Sequence, residues 1–159
     1  MPKTRKSWQE KLADDKGLPK VVEITDRMSQ RWGTGTVVIP APKEVDEIMK
    51  KVPRGKLITI NQIRTTLAQK HGATIGCPLT TGIFIRIAAE AAEEDLTRGE
   101  TEITPYWRVI RADGILNEKF PGGVDAQAAR LREGGHTIEP GKAKKPPKVK
   151  DFEKALVEF

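Results

Sequence analysis

The chain has 159 residues, of which 37% are hydrophobic and 31% charged, a composition typical of a water-soluble globular protein. No run of about 18 apolar residues occurs, and the basic N-terminus lacks the apolar stretch of a signal peptide, so we expect a cytoplasmic protein without a membrane span. A single Cys excludes an internal disulfide, and two distant His residues argue against a metal site. We therefore expect no metal and no cofactor.

The formal net charge of +6 is carried mainly by the ends of the chain. Residues 140–150 contain five Lys and no acid, whereas residues 51–139 contain twelve basic and eleven acidic residues. A polyanion would be attracted chiefly to the ends. The Lys-rich tail either contacts phosphates without specificity or only increases solubility, and the sequence leaves both interpretations open.

Residues 1–41 are interpreted as an N-terminal leader that packs on the main domain. Ser7, followed three residues later by Glu10, is a capping-box pattern that predicts a short helix. The segments "VVEI" and "GTGTVVIP" then predict extended structure, and Trp8 and Trp32 are interpreted as anchors of the leader on the core.

The main domain, residues 42–139, is predicted to begin with three helices. The first begins at Pro42, with apolar residues at helical spacing. The second follows Thr59, which forms a capping box with Gln62, and ends near Gly72. The third is the long pattern "CPLTTGIFIRIAAEAAEEDL". The second and third helices suit either a helix-turn-helix unit or an ordinary helical hairpin.

The remaining residues predict a small β wing, a last helix and a tail. "WRVIRADGILNEKFPGG" contains a short apolar run and an Asp-Gly turn, which suit a hairpin or wing. "VDAQAARLREGG" predicts an amphipathic helix, and residues 140–159 form a basic tail, mobile where it is rich in Pro and Lys, whose end "DFEKALVEF" can dock as one or two helical turns. The predicted fold class is mainly α with a small β wing.

The order of these pieces resembles the C-terminal, winged helix-turn-helix domain of the alkylguanine-DNA alkyltransferases and the alkyltransferase-like proteins. "VPRGKLITINQIRTTLA" looks like that family's Val-Pro-x-Gly-Lys segment and first helix. "TPYWRVIRADGILNEKFPGG" looks like its Pro-Cys-His-Arg-Val loop, Arg-x-Asp-Gly turn and Tyr-x-Gly-Gly loop, and "LREGGH" falls where the family has Leu-x-x-Glu-Gly. The resemblance covers about residues 45–138.

The residues of alkyl transfer are replaced in this chain. Tyr106 stands where the family has its acceptor Cys, Trp107 where it has His, and Gly134 where it has the Glu that orients this His. A phenol of pKa about 10 is a poor nucleophile for an alkyl group at neutral pH. The resemblance therefore implies a non-enzymatic protein of the alkyltransferase-like kind, which binds alkylated guanine in DNA without repairing it and passes the lesion to repair proteins.

The resemblance also implies candidate site residues. An extruded base could stack on an aromatic of the loop, and we expect Tyr106 to face this pocket and its neighbour Trp107 to face the core. The family's nucleotide-rotating Tyr corresponds to Ile60, and its base-stack Arg to Leu79, which could act as an apolar wedge. The candidate pocket residues are Tyr106, Trp107 and Phe120, and the candidate DNA contacts are Ile60, Leu79, Thr80, Thr81, Gly82, Arg86, Arg108 and Arg111.

Several alternatives stay open at this point. Arg108 and Arg111 suit DNA contacts or a structural ion pair equally well, and Arg108 could brace the loop or meet a phosphate. Cys77, at the predicted start of a helix, could be a relocated alkyl acceptor or an inert small residue. The expected partner is double-stranded DNA, with or without alkylated guanine. The rival functions are a methylated-DNA methyltransferase that uses Cys77 and a protein-interaction domain that has lost DNA binding.

Overall fold

The computed structural model describes residues 7–15, 17–141 and 146–158. Its helices are α1 (Trp8–Ala13), α2 (Asp26–Trp32), α3 (Pro42–Lys50), α4 (Ile60–His71), α5 (Pro78–Thr97) and α6 (Gly123–Glu133). Its strands are β1 (Lys20–Glu23), β2 (Thr36–Ile39), β3 (Ile58–Thr59), β4 (Ile75–Gly76), β5 (Val109–Ile110), β6 (Ile138–Glu139) and β7 (Lys148–Val149). This mostly helical structure with small sheets confirms the coarse fold class.

Local capping explains where the helices begin and end. At α1, the Ser7 hydroxyl accepts a hydrogen bond from the Glu10 backbone N–H. At α4, the Thr59 hydroxyl accepts from the Gln62 N–H at 3.1 Å, while the Gln62 side chain accepts from the Thr59 N–H at 2.9 Å. Gly72, with φ of 65°, ends α4 in the left-handed conformation that glycine adopts at low cost. The predicted starts of α1 and α4 and the predicted end of α4 are therefore confirmed.

The main core lies between α3, α4 and α5. Each helix buries an apolar stripe, and the three stripes meet in one cluster. A polar contact joins α3 to α4 at its edge, where the Glu44 carboxylate lies 2.8 Å from Lys70 Nζ and 2.7 Å from His71 Nε2. Although burial raises the pKa of Glu44, hydrogen bonds from Lys70, the Ala41 N–H and His71 outweigh it and hold that pKa below its usual value.

The leader shares structure with the rest of the chain. Strand β2 pairs antiparallel with β1 and parallel with β4, so residues on both sides of position 42 form one three-stranded sheet. Helix α1 lies against α5, where the Glu94 carboxylate accepts hydrogen bonds from the backbone N–H groups of Trp8 and Gln9, each at 2.9 Å. Both contacts hold the N-terminal segment on α5 and β4.

The segment predicted as a wing forms different strand pairs. The Asp-Gly turn is present, since Gly114 N–H donates to the Arg111 carbonyl at 2.9 Å. However, β5 pairs in parallel with β3, and Ile115 forms a bridge to Lys148. One local bond across the turn, from the Arg111 N–H to the Ile115 carbonyl at 3.0 Å, is present, but the strand pairs at this position are formed with distant segments.

The C-terminal segment is part of a second, smaller core. Val149 and Phe152 are buried, and the Phe152 ring fills the space beside Gly114, where a Cβ atom would lie only 2.4 Å from the ring. The end of the tail, for which one or two helical turns are expected, contains a 3₁₀ turn at Phe152–Ala155. The prediction of a mobile Lys-rich stretch falls partly on residues 142–145, which lie outside the described residues.

Candidate nucleic-acid interface

The N-terminal half of α5 presents one exposed face. Leu79, Ile83 and Arg86 follow one another at four- and three-residue spacing, so their side chains lie along the same side of the helix. Leu79 is 69% exposed and Ile83 56% exposed, and Arg86 is exposed beside them. Large aliphatic side chains at this exposure are unusual unless a partner covers them. Leu79 is therefore available as the apolar wedge that the sequence predicts.

The opposite side of the same helical turns faces inward. Thr81 is 0% exposed, so it cannot contact DNA, and this predicted contact is wrong. The Thr80 hydroxyl oxygen is also buried, without a hydrogen-bond partner among the described residues. Gly82 is half-buried, and Ile60, at the start of α4, packs partly against the main core. The helical period explains the difference, since positions 80 and 81 turn away from the face of Leu79.

Helix α2 extends this exposed face with residues that the sequence analysis missed. Arg27, Met28, Arg31 and Trp32 line a groove of about 600 Å³ together with Pro78 and Leu79. Met28 is exposed, and Arg27 and Arg31 are both exposed one helical turn apart. The signal was present in the sequence, because Thr25 precedes a short helical segment with arginines at four-residue spacing. We call Arg27, Met28, Arg31, Leu79, Ile83 and Arg86 the α2–α5 surface.

The loop that resembles the alkyl-acceptor loop is closed around its tyrosine. Tyr106 is only 1% exposed, within a 3₁₀ turn, and its hydroxyl donates to Glu93 Oε1 at 2.5 Å. Arg130 donates to the same carboxylate oxygen at 3.0 Å. The buried ring of Phe120 meets Tyr106 edge to face, with centroids 5.2 Å apart. The expectation that Tyr106 and Phe120 face an open base pocket is therefore wrong.

The environment of Tyr106 also opposes any nucleophilic role. Burial is the largest cause that raises the pKa of its hydroxyl, followed by the hydrogen bond to Glu93 and the charge of that carboxylate. A phenol with a raised pKa stays protonated near neutral pH, so no phenolate is available for attack. The geometry agrees with the sequence in assigning no alkyl transfer to this position.

Trp107, not Tyr106, reaches the surface beside the loop. Its half-buried ring lines a small cleft of about 160 Å³ between the loop and α6. The expected orientation of the two aromatics is thus reversed. The reason is the 3₁₀ turn at Tyr106–Arg108, which replaces the extended backbone from which the alternation was predicted.

The two arginines of the loop have structural partners. Arg108 Nη1 donates to the Val52 carbonyl at 2.7 Å, which braces the loop against the end of α3. Arg111 forms an ion pair with Glu118 at 3.0 Å. Both arginines therefore make contacts within the protein, which favours the structural interpretation over DNA contacts.

Cys77 is the N-terminal cap of α5 and is 5% exposed, with its backbone N–H donating to the Val38 carbonyl at 2.9 Å. A buried thiol cannot approach an alkyl group on DNA without local opening of the structure around it. In the segments 7–15, 17–141 and 146–158, no three His, Cys, Asp or Glu side chains are grouped as ligands for a metal ion. Within the same segments, no helix is long and apolar enough to cross a membrane.

Comparison with known proteins gives structural matches. No protein-family model and no curated protein matches the sequence. Among solved structures, the chain is similar to the alkyltransferase-like protein of S. pombe in complex with DNA, with a TM-score of 0.53 and 20% identity over 74% of this chain and 94% of the other. A structure of S. pombe Atl1 with damaged DNA containing O6-carboxymethylguanine matches over the same shares, with a TM-score of 0.49 and 19% identity. At this identity, the TM-score of 0.53 shows a shared fold.

Proposed function

We propose that this chain is a non-enzymatic, alkyltransferase-like protein that binds duplex DNA and senses damaged guanine. The proposal combines the motif order of residues 45–138 with the shared fold. In it, α4 and α5 act as a winged helix-turn-helix unit whose second helix, α5, enters the minor groove. The observation that carries the proposal is the exposed α2–α5 surface, which occupies the start of that second helix.

The chemistry of the α2–α5 surface suits a nucleic-acid groove. Leu79 and Ile83 supply exposed apolar side chains of the kind that wedge between base steps. Arg27 and Arg31 on α2 and Arg86 on α5 add three positive charges around them, suited to phosphates. The acidic residues of α5 lie in its C-terminal half, at Glu90, Glu93, Glu94 and Asp95. This polarity supports an orientation with the N-terminal half of α5 toward DNA.

Recognition of a damaged base requires a movement of the closed loop. The ring of Tyr106 fills the space beside Phe120, so an extruded base could enter there only if the hydrogen bond between Tyr106 and Glu93 breaks. Unstacking a base costs a few kcal/mol, and less when the base is damaged and poorly paired. In the proposed mechanism, a damaged base therefore displaces Tyr106 more often than an intact one does.

The test is a titration of fluorescent duplexes, plain and with one O6-methylguanine, over a series of salt concentrations. We expect the logarithm of the affinity for both duplexes to fall linearly with the logarithm of salt, and tighter binding of the modified duplex. Equal affinity for both duplexes would contradict damage sensing but would still support duplex binding. Negligible binding of both duplexes at low salt would contradict the whole proposal.

A rival function, a protein-interaction domain, is favoured by the same exposed apolar residues. Leu79, Ile83 and Met28 would also suit the apolar centre of a protein interface. The rivals differ in their response to salt, because apolar protein contacts lack the release of counterions.

The methyltransferase alternative is tested by mass spectrometry after incubation with alkylated DNA. An added alkyl mass on Cys77 would establish this alternative, but the burial of Cys77 opposes that outcome.

A further inference from the structure

The cleft beside Trp107 is lined by an unusual concentration of positive groups. Its walls come from the loop before β3, the 3₁₀ turn at Tyr106–Arg108, and the C-terminal end of α6 with the residues that follow. The lining residues are Arg54, Gly55, Trp107, Arg108, Arg130, Leu131, Glu133, Gly134 and His136. Three guanidinium groups and one imidazole therefore face about 160 Å³ of space, with Glu133 as the single acid in the lining.

Two of these guanidinium groups have no carboxylate partner in the described part of the chain. Arg54 Nη2 donates to the Glu133 backbone carbonyl at 2.6 Å, and Arg108 Nη1 donates to the Val52 carbonyl at 2.7 Å. Neutral carbonyl oxygens satisfy single N–H groups but leave the positive charge uncompensated. Burial, and then the nearby charge of Arg54, lower the pKa of Arg108, as expected where like charges crowd together. A bound anion would relieve both effects.

His136 adds a polar atom that lacks a partner. Its Nε2 atom is buried and has no hydrogen-bond partner among the described residues. Burial, followed by the charge of Arg108, lowers the pKa of its imidazole. A buried ring nitrogen without a partner costs free energy that a bound hydrogen-bonding group would recover.

The shape of the cleft restricts what can enter. Gly55 and Gly134 both line it, and a Cβ atom at Gly55 would lie in ordinary contact with the Gly134 carbonyl oxygen, at 3.8 Å. The Trp107 ring has the Arg130 guanidinium 4.4 Å from its centroid, so that stacking contact is already made within the protein. The free space therefore suits a small charged group better than a stacked base.

We propose that this cleft is a binding site for a phosphate group, held by the guanidinium groups of Arg54 and Arg108 and by the imidazole of His136. Guanidinium groups match the geometry of phosphate oxygens through paired N–H donors. The group is either free inorganic phosphate or the phosphate of a small monoester such as a nucleotide. Both sources present the same oxyanion to the same donors.

The site is separate from the α2–α5 surface. Arg130, in the wall of the cleft, bonds to Glu93, and Glu93 lies about 20 Å from Leu79 along the axis of α5 at 1.5 Å per residue. A DNA duplex on the N-terminal half of α5 therefore need not cover the cleft. The inference does not depend on the proposed function, and each can fail alone.

The test follows the indole N–H of Trp107 and the Nε–H groups of Arg54 and Arg108 by NMR while inorganic phosphate replaces chloride at constant ionic strength. We expect saturable shifts of these signals and a higher melting temperature in phosphate, because a ligand that binds only the folded state stabilises it. Adenosine monophosphate in a parallel titration separates the two sources, since tighter binding of the nucleotide would identify the monoester. Absence of saturable shifts with either probe would overturn the proposal.

Matched variants of exposed arginines make the test specific. Arg54→Gln removes an exposed donor of the cleft and should weaken phosphate binding at least about tenfold. Arg132→Gln removes an exposed arginine of α6 that does not line the cleft, and should leave binding unchanged. Equal weakening in both variants would mean general attraction to positive charge, and unchanged binding in Arg54→Gln would place the anion elsewhere; either result would contradict the proposal.

Discussion

The two halves of α5 differ in the contacts that their side chains make. The N-terminal half exposes Leu79 and Ile83, which are the kind of side chains that proteins usually bury. The C-terminal half holds Glu93 in a closed network with Tyr106 and Arg130, where the resemblance places the alkyl-acceptor chemistry. One continuous helix thus carries an open apolar surface at one end and a closed polar contact at the other.

The proposed binding surface and the loop that resembles the alkyl-acceptor loop lie at opposite ends of α5. The N-terminal half of α5 has an exposed apolar face with flanking arginines, where a partner is expected to bind. At position 106, where the resemblance places the acceptor Cys, the Tyr106 hydroxyl donates to the Glu93 carboxylate and the buried ring closes the loop. The position therefore has no thiol nucleophile, and the ring fills the space. The proposed binding surface and the closed loop around Tyr106 therefore contact opposite ends of α5, and each can be altered by its own substitutions.

The largest expected effect comes from opening the closed end. Tyr106→Ala removes a buried ring from the core and should lower the free energy of unfolding by about 3–5 kcal/mol. Tyr106→Phe keeps the ring and loses only the hydrogen bond to Glu93, so it should cost about 1–3 kcal/mol. Denaturant unfolding measures both variants. A cost below about 1 kcal/mol for Tyr106→Ala would contradict the closed loop.

The next effect concerns the open end. Leu79→Glu replaces the proposed wedge by a negative charge and should weaken duplex binding at least about tenfold, or about 1.4 kcal/mol, because it loses apolar contact and repels phosphates. Leu96→Glu, an exposed leucine at the other end of α5, is the matched control and should leave affinity unchanged. Fluorescence anisotropy measures both, and equal losses in the two variants would remove the specific role of Leu79.

A smaller effect is expected from helix α2. The double variant Arg27→Gln and Arg31→Gln should reduce the slope of log affinity against log salt by about two, since each phosphate contact contributes about 0.9. Lys119→Gln with Arg132→Gln removes the same charge from exposed positions outside the α2–α5 surface and serves as the control. If the two double variants change the slope equally, only net charge matters and α2 has no particular part in binding.

The smallest change is a dependence of stability on alkaline pH. The folded-state pKa of Tyr106 is raised, so its contribution to stability is complete below pH about 10 and is lost as the pH rises above that value. Because Tyr106 is the only tyrosine of the chain, the absorbance of tyrosinate near 295 nm reports it alone. We expect this signal to appear together with unfolding, and its appearance in the folded protein near pH 10 would show an exposed phenol.

Features set by neighbouring residues were predictable. Thr59 and Gln62 satisfy each other's backbone groups within four residues, so the start of α4 is visible in the sequence. Features set by residues distant in the sequence were not predictable. The orientation of Tyr106 depends on Glu93 and Arg130, and the partner of β5 is β3, far earlier in the chain. The sequence suggested that the end of the tail docks as a helical turn but not where it docks, and the structure places Phe152 beside Gly114.

The sequence by itself determined the capping boxes of α1 and α4 and the presence of Tyr106 where the resemblance places the acceptor Cys, because each of these is a property of nearby residues or of one position. Tertiary structure decided that Tyr106 points inward, that Trp107 and His136 share a cleft with three arginines, and that α2 lies beside Leu79. The physical reason is that burial and charge crowding depend on which distant segments meet. Local sequence patterns do not show which distant segments will come into contact.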